Sequence, residues 1–364
     1  MRQPSLRTTL IVSIGVLVAA IVSRFAYNGL VFGFDYGLFH PDGSLYAFKT
    51  LTLMGYSQQD AAVQVANWYA DHAYKLQNID PQSLYFENHP AWVIYETRLA
   101  YPILSIPFVA IMGMNGLLAV PAISFLILVI GIVLLGNHYK NQWIAIGIVF
   151  AITVSPTVGR WMLINSTDSL LVALVAVLIF VIVKDLKYQY WIPIVFSIIV
   201  IGSFTRFSLL LWLGFSIGLF ISRQWARASI IAITAIGSFV PTLFLDFQSA
   251  VLPNEESSSL LMKALKLPLS MARMAYYDLA QLMVLDRVLL LVLFLAVFVA
   301  LKNLNSQSSR YFIPVLFMLW CTAGINGTPG VNFRYELPVI AVLAWVLIEN
   351  TKNRTISSAA GTQI

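Results

Sequence analysis

Four arginines stand at the edges of long apolar runs. They are Arg98 in Arg98-Leu99-Ala100-Tyr101-Pro102, Arg160 in Gly159-Arg160-Trp161-Met162, Arg206 in Thr205-Arg206-Phe207 and Arg334 in Asn332-Phe333-Arg334-Tyr335. A guanidinium is a planar fork of N–H donors that matches the oxygens of phosphate, and it is costly near hydrocarbon unless paired. Such a set suits an anion of phosphate type. The competing reading is that each side chain snorkels separately to lipid head groups. For Arg206, set between two apolar runs with almost no loop, the anion reading is favoured. Carboxylates accompany them: Asp35, Asp42, Glu87 and Glu96 in the polar interval 32–102, and Asp168 after Asn165-Ser166-Thr167. Asp42, just before Gly43 and four residues before Tyr46, fits a helix N-terminus, where a carboxylate caps, and equally a general base toward a hydroxyl. Asp168 reads most simply as an N-cap. His40 and His89 could orient a phosphate or a carboxylate, but no histidine or cysteine stands at metal-ligand spacing. Asn165-Ser166-Thr167 also matches a glycosylation sequon, a pattern frequent by chance.

The elements that must position these residues are membrane helices. Of 364 residues 59% are hydrophobic and 10% charged, against about 25% charged in soluble domains. The net charge of +6 would suggest nucleic acid in a soluble chain; here lysines and arginines in short loops set orientation instead. The single cysteine, Cys321, excludes an intramolecular disulfide. Runs such as Leu117–Leu135, Leu170–Val183 and Leu289–Leu301 approach the roughly 20 apolar residues that cross a bilayer.

Arg2 and Arg7 precede the first apolar run, Thr9–Leu30, and no small-x-small cleavage site follows it, so it reads as a retained helix with a cytoplasmic N-terminus. The chain then divides into a first transmembrane helix (1–31), an extracytoplasmic loop (32–116), and the remaining transmembrane helices (117–364), all in one membrane domain (1–364). In the loop, Ser57-Gln58-Gln59-Asp60 has the form of a capping box and opens a helix to about Leu76. Asp80-Pro81 and His89-Pro90 are further break-and-start signals. Cations recur at alternate helix ends: His138-Tyr139-Lys140, Lys184-Asp185-Leu186-Lys187, Arg223 to Arg227, Lys302, Lys352 and Arg354. Keeping all of them cytoplasmic allows one crossing between Pro102 and Gly136. Tyr101–Met114 is then a re-entrant or juxtamembrane helix. Further crossings fall near 117–136, 142–158, 168–184, 190–205, 208–222, 228–247, 284–301, 311–323 and 334–349, which with the first makes about ten, with both termini cytoplasmic. An outer amphipathic segment (248–283), centred on Leu260–Met274, lies at the interface.

On these residues the chain resembles the polytopic glycosyltransferases of the GT-C fold, which use lipid-phosphate sugars. The resemblance covers the architecture over nearly the whole length. Its local motifs are Asp42 followed by Tyr46, Arg98-Leu99-Ala100-Tyr101-Pro102-Ile103-Leu104, Asp168 opening a Leu/Val/Ala helix, Thr205-Arg206-Phe207-Ser208-Leu209-Leu210, and Phe333-Arg334-Tyr335. It implies an all-α polytopic membrane protein whose first outer loop carries the catalytic carboxylate, Asp42 or Asp35. It also implies substrate-binding roles at the outer face of the plasma membrane for Arg98, Arg160, Arg206, Arg334, Tyr46, His40, Glu96 and Asp168. The expected partners are a polyprenyl-phosphate sugar donor, a glycan, lipid or protein acceptor, and membrane lipids. The loop has no Asp-x-Asp or Glu-x-Asp pair, so a divalent metal, possible in the family, has no motif here. Two other classes compete. A transporter would show repeat symmetry and charges near the midplane, whereas no repeat is visible; a scaffold of the same fold would keep the architecture without the chemistry.

Overall fold

A computed structural model describes residues 3–32, 39, 42–72, 79–85, 97–206, 208–244, 260–326 and 333–351. Among them every regular element is helical. The helices are α1 (Leu6–Phe32), α2 (Asp42–Leu53), α3 (Gln58–His72), α4 (Ala100–Met112), α5 (Ala119–His138), α6 (Gln142–Val154), α7 (Pro156–Leu163) and α8 (Asp168–Val183). They continue as α9 (Tyr188–Ser203), α10 (Leu209–Ile221), α11 (Trp225–Phe244), α12 (Leu260–Leu285), α13 (Arg287–Lys302), α14 (Gln307–Asn326) and α15 (Val339–Asn350). Short 3-10 turns occupy Pro81–Leu84 and Gly113–Leu118.

Among the described residues three stretches are long and apolar enough to cross a membrane: Leu6–Ser23, Ala100–His138 and Gln307–Ile325. A fourth arises if α6 and α7, bent by 75°, count as one. The expected tally of about ten crossings thus resolves into an all-helical chain with these spans and a set of shorter apolar helices. A helix of 13 residues such as α10 reaches only about 20 Å, short of a hydrocarbon core of about 30 Å. The outward faces nevertheless carry Trp143, Phe150, Phe196, Phe220, Ile233, Leu291, Phe294, Phe298 and Phe317, all exposed. So continuous an apolar surface is consistent with a membrane protein.

The capping box is realised at α3: the Asp60 N–H donates to Ser57 Oγ at 3.1 Å, and that hydroxyl donates to the Asp60 carboxylate at 2.6 Å. Asp80 caps the turn at Pro81–Leu84 by accepting from the Gln82 N–H. The expected crossing 142–158 is instead cut at Ser155, because Pro156 lacks a donor and Ser155 Oγ takes the Val158 N–H, starting a new helix on a new axis. The amphipathic helix expected over Leu260–Met274 continues to Leu285.

The stretch Ala100–His138 is not straight. Gly113 (φ 61°, ψ −151°) breaks α4, and an added Cβ on Gly116 would lie 2.3 Å from the Phe108 carbonyl. The Tyr101 hydroxyl donates to the Leu117 carbonyl at 2.6 Å. In a continuous helix those sixteen residues would span about 24 Å. The chain therefore doubles back, and α4 stands beside the turn that leads into α5. A short helix and a break thus lie between Pro102 and Gly136.

At the centre lie α8 and α15. Every residue from Val339 to Ile348 is buried, and α15 packs against α5, α6, α8, α13 and α14. On α10, Gly214 and Gly218 face α14; a Cβ on Gly218 would collide with Tyr311 at 2.5 Å. Small residues four apart let two apolar helices approach closely where water supplies no hydrophobic drive.

The bundle has two distinct ends. Helices α8, α10, α13 and α15 all start at one end, where Arg206 and Arg334 reach Asp168 and Asp286 accepts from Ser155 and the Thr157 N–H. Their other ends carry Lys184, Arg223 and Lys302. There Arg227 pairs with Asp185, Asn141 donates to the Ile348 carbonyl, and Glu349 accepts from the Gln307 and Ser308 N–H groups. Among the described residues, the cationic loops at 138–140, 184–187, 223–227 and 302 share this end, while Lys352 and Arg354 lie outside the described residues.

Candidate functional site: a buried arginine and carboxylate cluster

Between α7 and α8 the segment Ile164–Thr167 has almost no exposed surface. Asp168 follows it at 2% exposure, the first residue of α8. Its carboxylate does not cap its own helix. One oxygen accepts from Arg206 Nη1; the other accepts from Arg334 Nε at 2.8 Å and from Ser166 Oγ at 3.0 Å. Arg206 comes from the break between α9 and α10, and Arg334 from the turn that enters α15. Each guanidinium also lies over an aromatic face: Arg206 over Tyr335 at 4.2 Å and Arg334 over Trp161 at 4.7 Å. Arg160 lies over Trp161 as well, at 5.2 Å, and has no carboxylate partner among the described residues.

The physical logic is one of shared neutralisation. Arg206 and Arg334 are each only 8% exposed. A buried cation without a partner is very unfavourable, so two of them converge on one carboxylate and on aromatic faces. Asp168 thus serves both guanidiniums as a shared counter-charge. Arg206, Arg334 and Asp168 line a small cavity of about 10 Å³, about the space one water needs, with Leu171, Ser208, Leu211, Leu319, Thr322, Tyr335 and Pro338.

Behind Arg206 lies a second acidic feature. Glu336 and Asp278, 1% and 4% exposed, lie close to each other. Asp278 also accepts the Phe333 N–H at 3.2 Å, which holds Phe333 at φ 59°, a backbone conformation that bulky residues rarely adopt. One oxygen of each carboxyl, Oδ2 of Asp278 and Oε1 of Glu336, lacks a partner.

The loop helices close over the same end. Arg98 Nη1 donates to the Tyr46 hydroxyl at 2.9 Å, and that hydroxyl lies 3.4 Å from Thr167 Oγ1. Asn165 Nδ2 donates to the Tyr69 hydroxyl at 2.5 Å. The Ala100 N–H, at the start of α4, donates to the Phe204 carbonyl at the end of α9.

Of the residues singled out in the sequence, Tyr46, Arg98, Arg160, Arg206, Arg334 and Asp168 are brought to one end of the bundle. The N-cap reading of Asp168 is replaced by an ion-pair centre. The sequon reading of Asn165 fails, because that side chain is fully buried. Asp42 opens α2, and its side chain, like Asp35, His40, Glu87, His89 and Glu96, lies outside the described residues. Trp161, Tyr335, Glu336 and Asp278 were not singled out as site residues. Glu336, an acidic residue two positions past Arg334 and just ahead of an apolar run, is the signal that could have revealed the last pair. Among the described residues no three His, Cys, Asp or Glu side chains form a metal-binding group. Comparison with protein-family models, with curated proteins and with solved structures returned no match.

Proposed function

We propose that this chain is a membrane glycosyltransferase of the GT-C type, moving a sugar from a polyprenyl-phosphate donor to a hydroxyl of a glycan, lipid or protein acceptor. The observation that carries the reading is the buried Asp168–Arg206–Arg334 cluster. Its two guanidiniums are donors of the kind that bind phosphate, and the loop helix that begins at Asp42 packs beside it. In the reaction the acceptor oxygen forms a bond to the anomeric carbon, and the bond from that carbon to the phosphate oxygen breaks. The polyprenyl phosphate departs with the electron pair, and the acceptor proton passes to a carboxylate. The resemblance assigns that carboxylate to Asp42, with Asp35 as the other candidate. Asp168 engages one of Arg206's five N–H donors, and guanidiniums held in fixed positions stabilise charge as it develops on the leaving phosphate.

In this reading about ten helical segments embed the chain in the plasma membrane with both termini cytoplasmic, and the site faces outward. The separation of the cationic loops from the arginine cluster supports that orientation. A second reading, a transporter of lipid-linked substrate, draws on one observation: the buried Asp278–Glu336 pair, since acidic pairs inside helix bundles serve proton-coupled movement.

The test is transfer from a panel of polyprenyl-phosphate sugars by protein in nanodiscs. Asp42→Asn is expected to abolish transfer while leaving the thermal transition intact; full activity in both Asp42→Asn and Asp35→Asn overturns the mechanism. Arg206→Lys and Arg334→Lys keep a charge for Asp168 but lose the fork, and are expected to weaken polyprenyl-phosphate binding about tenfold or more. Unchanged binding in both would remove the anion site.

A further inference from the structure

One contact on α2 has no explanation in helix chemistry. Gly43 lies in the first turn, and its backbone is not in the left-handed region, so conformation does not call for glycine there. What calls for it is space. A Cβ at position 43 would lie 2.2 to 2.3 Å from Nδ2, Cγ and Oδ1 of Asn165. Asn165 is fully buried, and its amide is tied to the Tyr69 hydroxyl of α3. Three residues further along α2, Tyr46 places its hydroxyl at Thr167 Oγ1. One face of α2 therefore docks on residues 165 to 167, and the next residue is Asp168, which holds both arginines.

We infer that Gly43 and Asn165 are positioning residues: their contact sets how closely the first turn of α2, which begins at Asp42, approaches the Asp168–Arg206–Arg334 cluster. Only two buried residues, Ser166 and Thr167, separate the contact from the carboxylate, so a shift of α2 is not absorbed by a loop between them. The inference rests on the glycosyltransferase reading for its catalytic consequence and on packing alone for the contact itself. The substitution Gly43→Ala would push the helix outward by about the shortfall between 2.2 Å and an ordinary carbon contact near 3.5 Å. Displacement on that scale in a reacting assembly lowers turnover by about 10²-fold.

The experiment is a double-mutant cycle in the full-length protein, with Gly43→Ala, Asn165→Ala and the pair together. Turnover with the polyprenyl-phosphate sugar and affinity for polyprenyl phosphate in mixed micelles are measured side by side. Gly43→Ala is expected to lower kcat about 10²-fold with phosphate affinity unchanged, because the arginines are untouched, and to have no further effect once Asn165 is alanine. Wild-type turnover in Gly43→Ala overturns the inference. So does an equal loss in both backgrounds, or a phosphate affinity that falls in step with turnover. If the wild type transfers no sugar, the glycosyltransferase reading falls, and the thermal transition decides the contact. A drop in Tm from Gly43→Ala that vanishes in the Asn165→Ala background upholds it; equal drops overturn it.

Discussion

Asp168 holds one end of the molecule together because two buried guanidiniums have it as their common counter-charge. Removing it by Asp168→Ala leaves both without it, a change expected to cost about 3–5 kcal/mol, read as a lowered thermal transition in detergent. Asp168→Asn keeps the shape but not the charge and should fall between the two. Glu336 behaves differently. It is buried beside a second carboxylate, Asp278, so Glu336→Gln keeps the shape and relieves a like-charge contact. That variant is expected to stay within about 1 kcal/mol of wild type, whereas Glu336→Ala, which opens a void beside Asp278, should cost more. Arg160 has no carboxylate partner among the described residues, so Arg160→Ala should leave stability almost unchanged while weakening lipid-phosphate binding.

At the scale of elements, the reversal after α4 depends on two glycines for different reasons. Gly113 occupies a region of φ and ψ open essentially to glycine alone, and Gly113→Ala is expected to cost about 1–3 kcal/mol. Gly116 meets the backbone of Phe108, which cannot rotate away, so Gly116→Ala should be at least as damaging. A straight helix through residues 100–138 would predict the opposite, since alanine favours helix over glycine. Stabilisation by either substitution would therefore contradict the hairpin. The bend between α6 and α7 follows the same principle: Ser155 and Pro156 end one helix and start another. That places Trp161 under Arg160 and Arg334 instead of along a membrane-facing cylinder.

For the molecule as a whole, the separation of charges between its two ends makes a topological prediction. In a Cys321→Ala background, single cysteines at Lys140, Lys187 and Arg223 should react with an impermeant maleimide only from the cytoplasmic side. A cysteine at Thr97 should react only from the outside. Labelling of Lys140 and Thr97 from the same side would reverse the assignment of the site to the outer face. The arrangement also explains why the cluster tolerates its charge: it sits where helices begin, so loop helices α2, α3 and α4 can shield it without crossing the apolar centre formed by α8 and α15.

Composition determined that the outer faces are apolar, because a chain with 10% charged residues has too little polar side-chain surface to cover a fold of this size, and the long uninterrupted apolar runs pointed to helices. Local chemistry determined the capping box at Ser57, the turn at Asp80 and the break between Pro102 and Gly136, since caps and breakers act over a few residues. The arginines at helix edges were legible for the same reason, as costly residues in an apolar setting. Their partners were not. Asp168 lies 38 residues from Arg206 and 166 from Arg334, and Asp278 and Glu336 stand on separate elements. Pairing at such distances is decided by how helices pack, and so is the need for glycine at position 43, which only the approach of Asn165 creates.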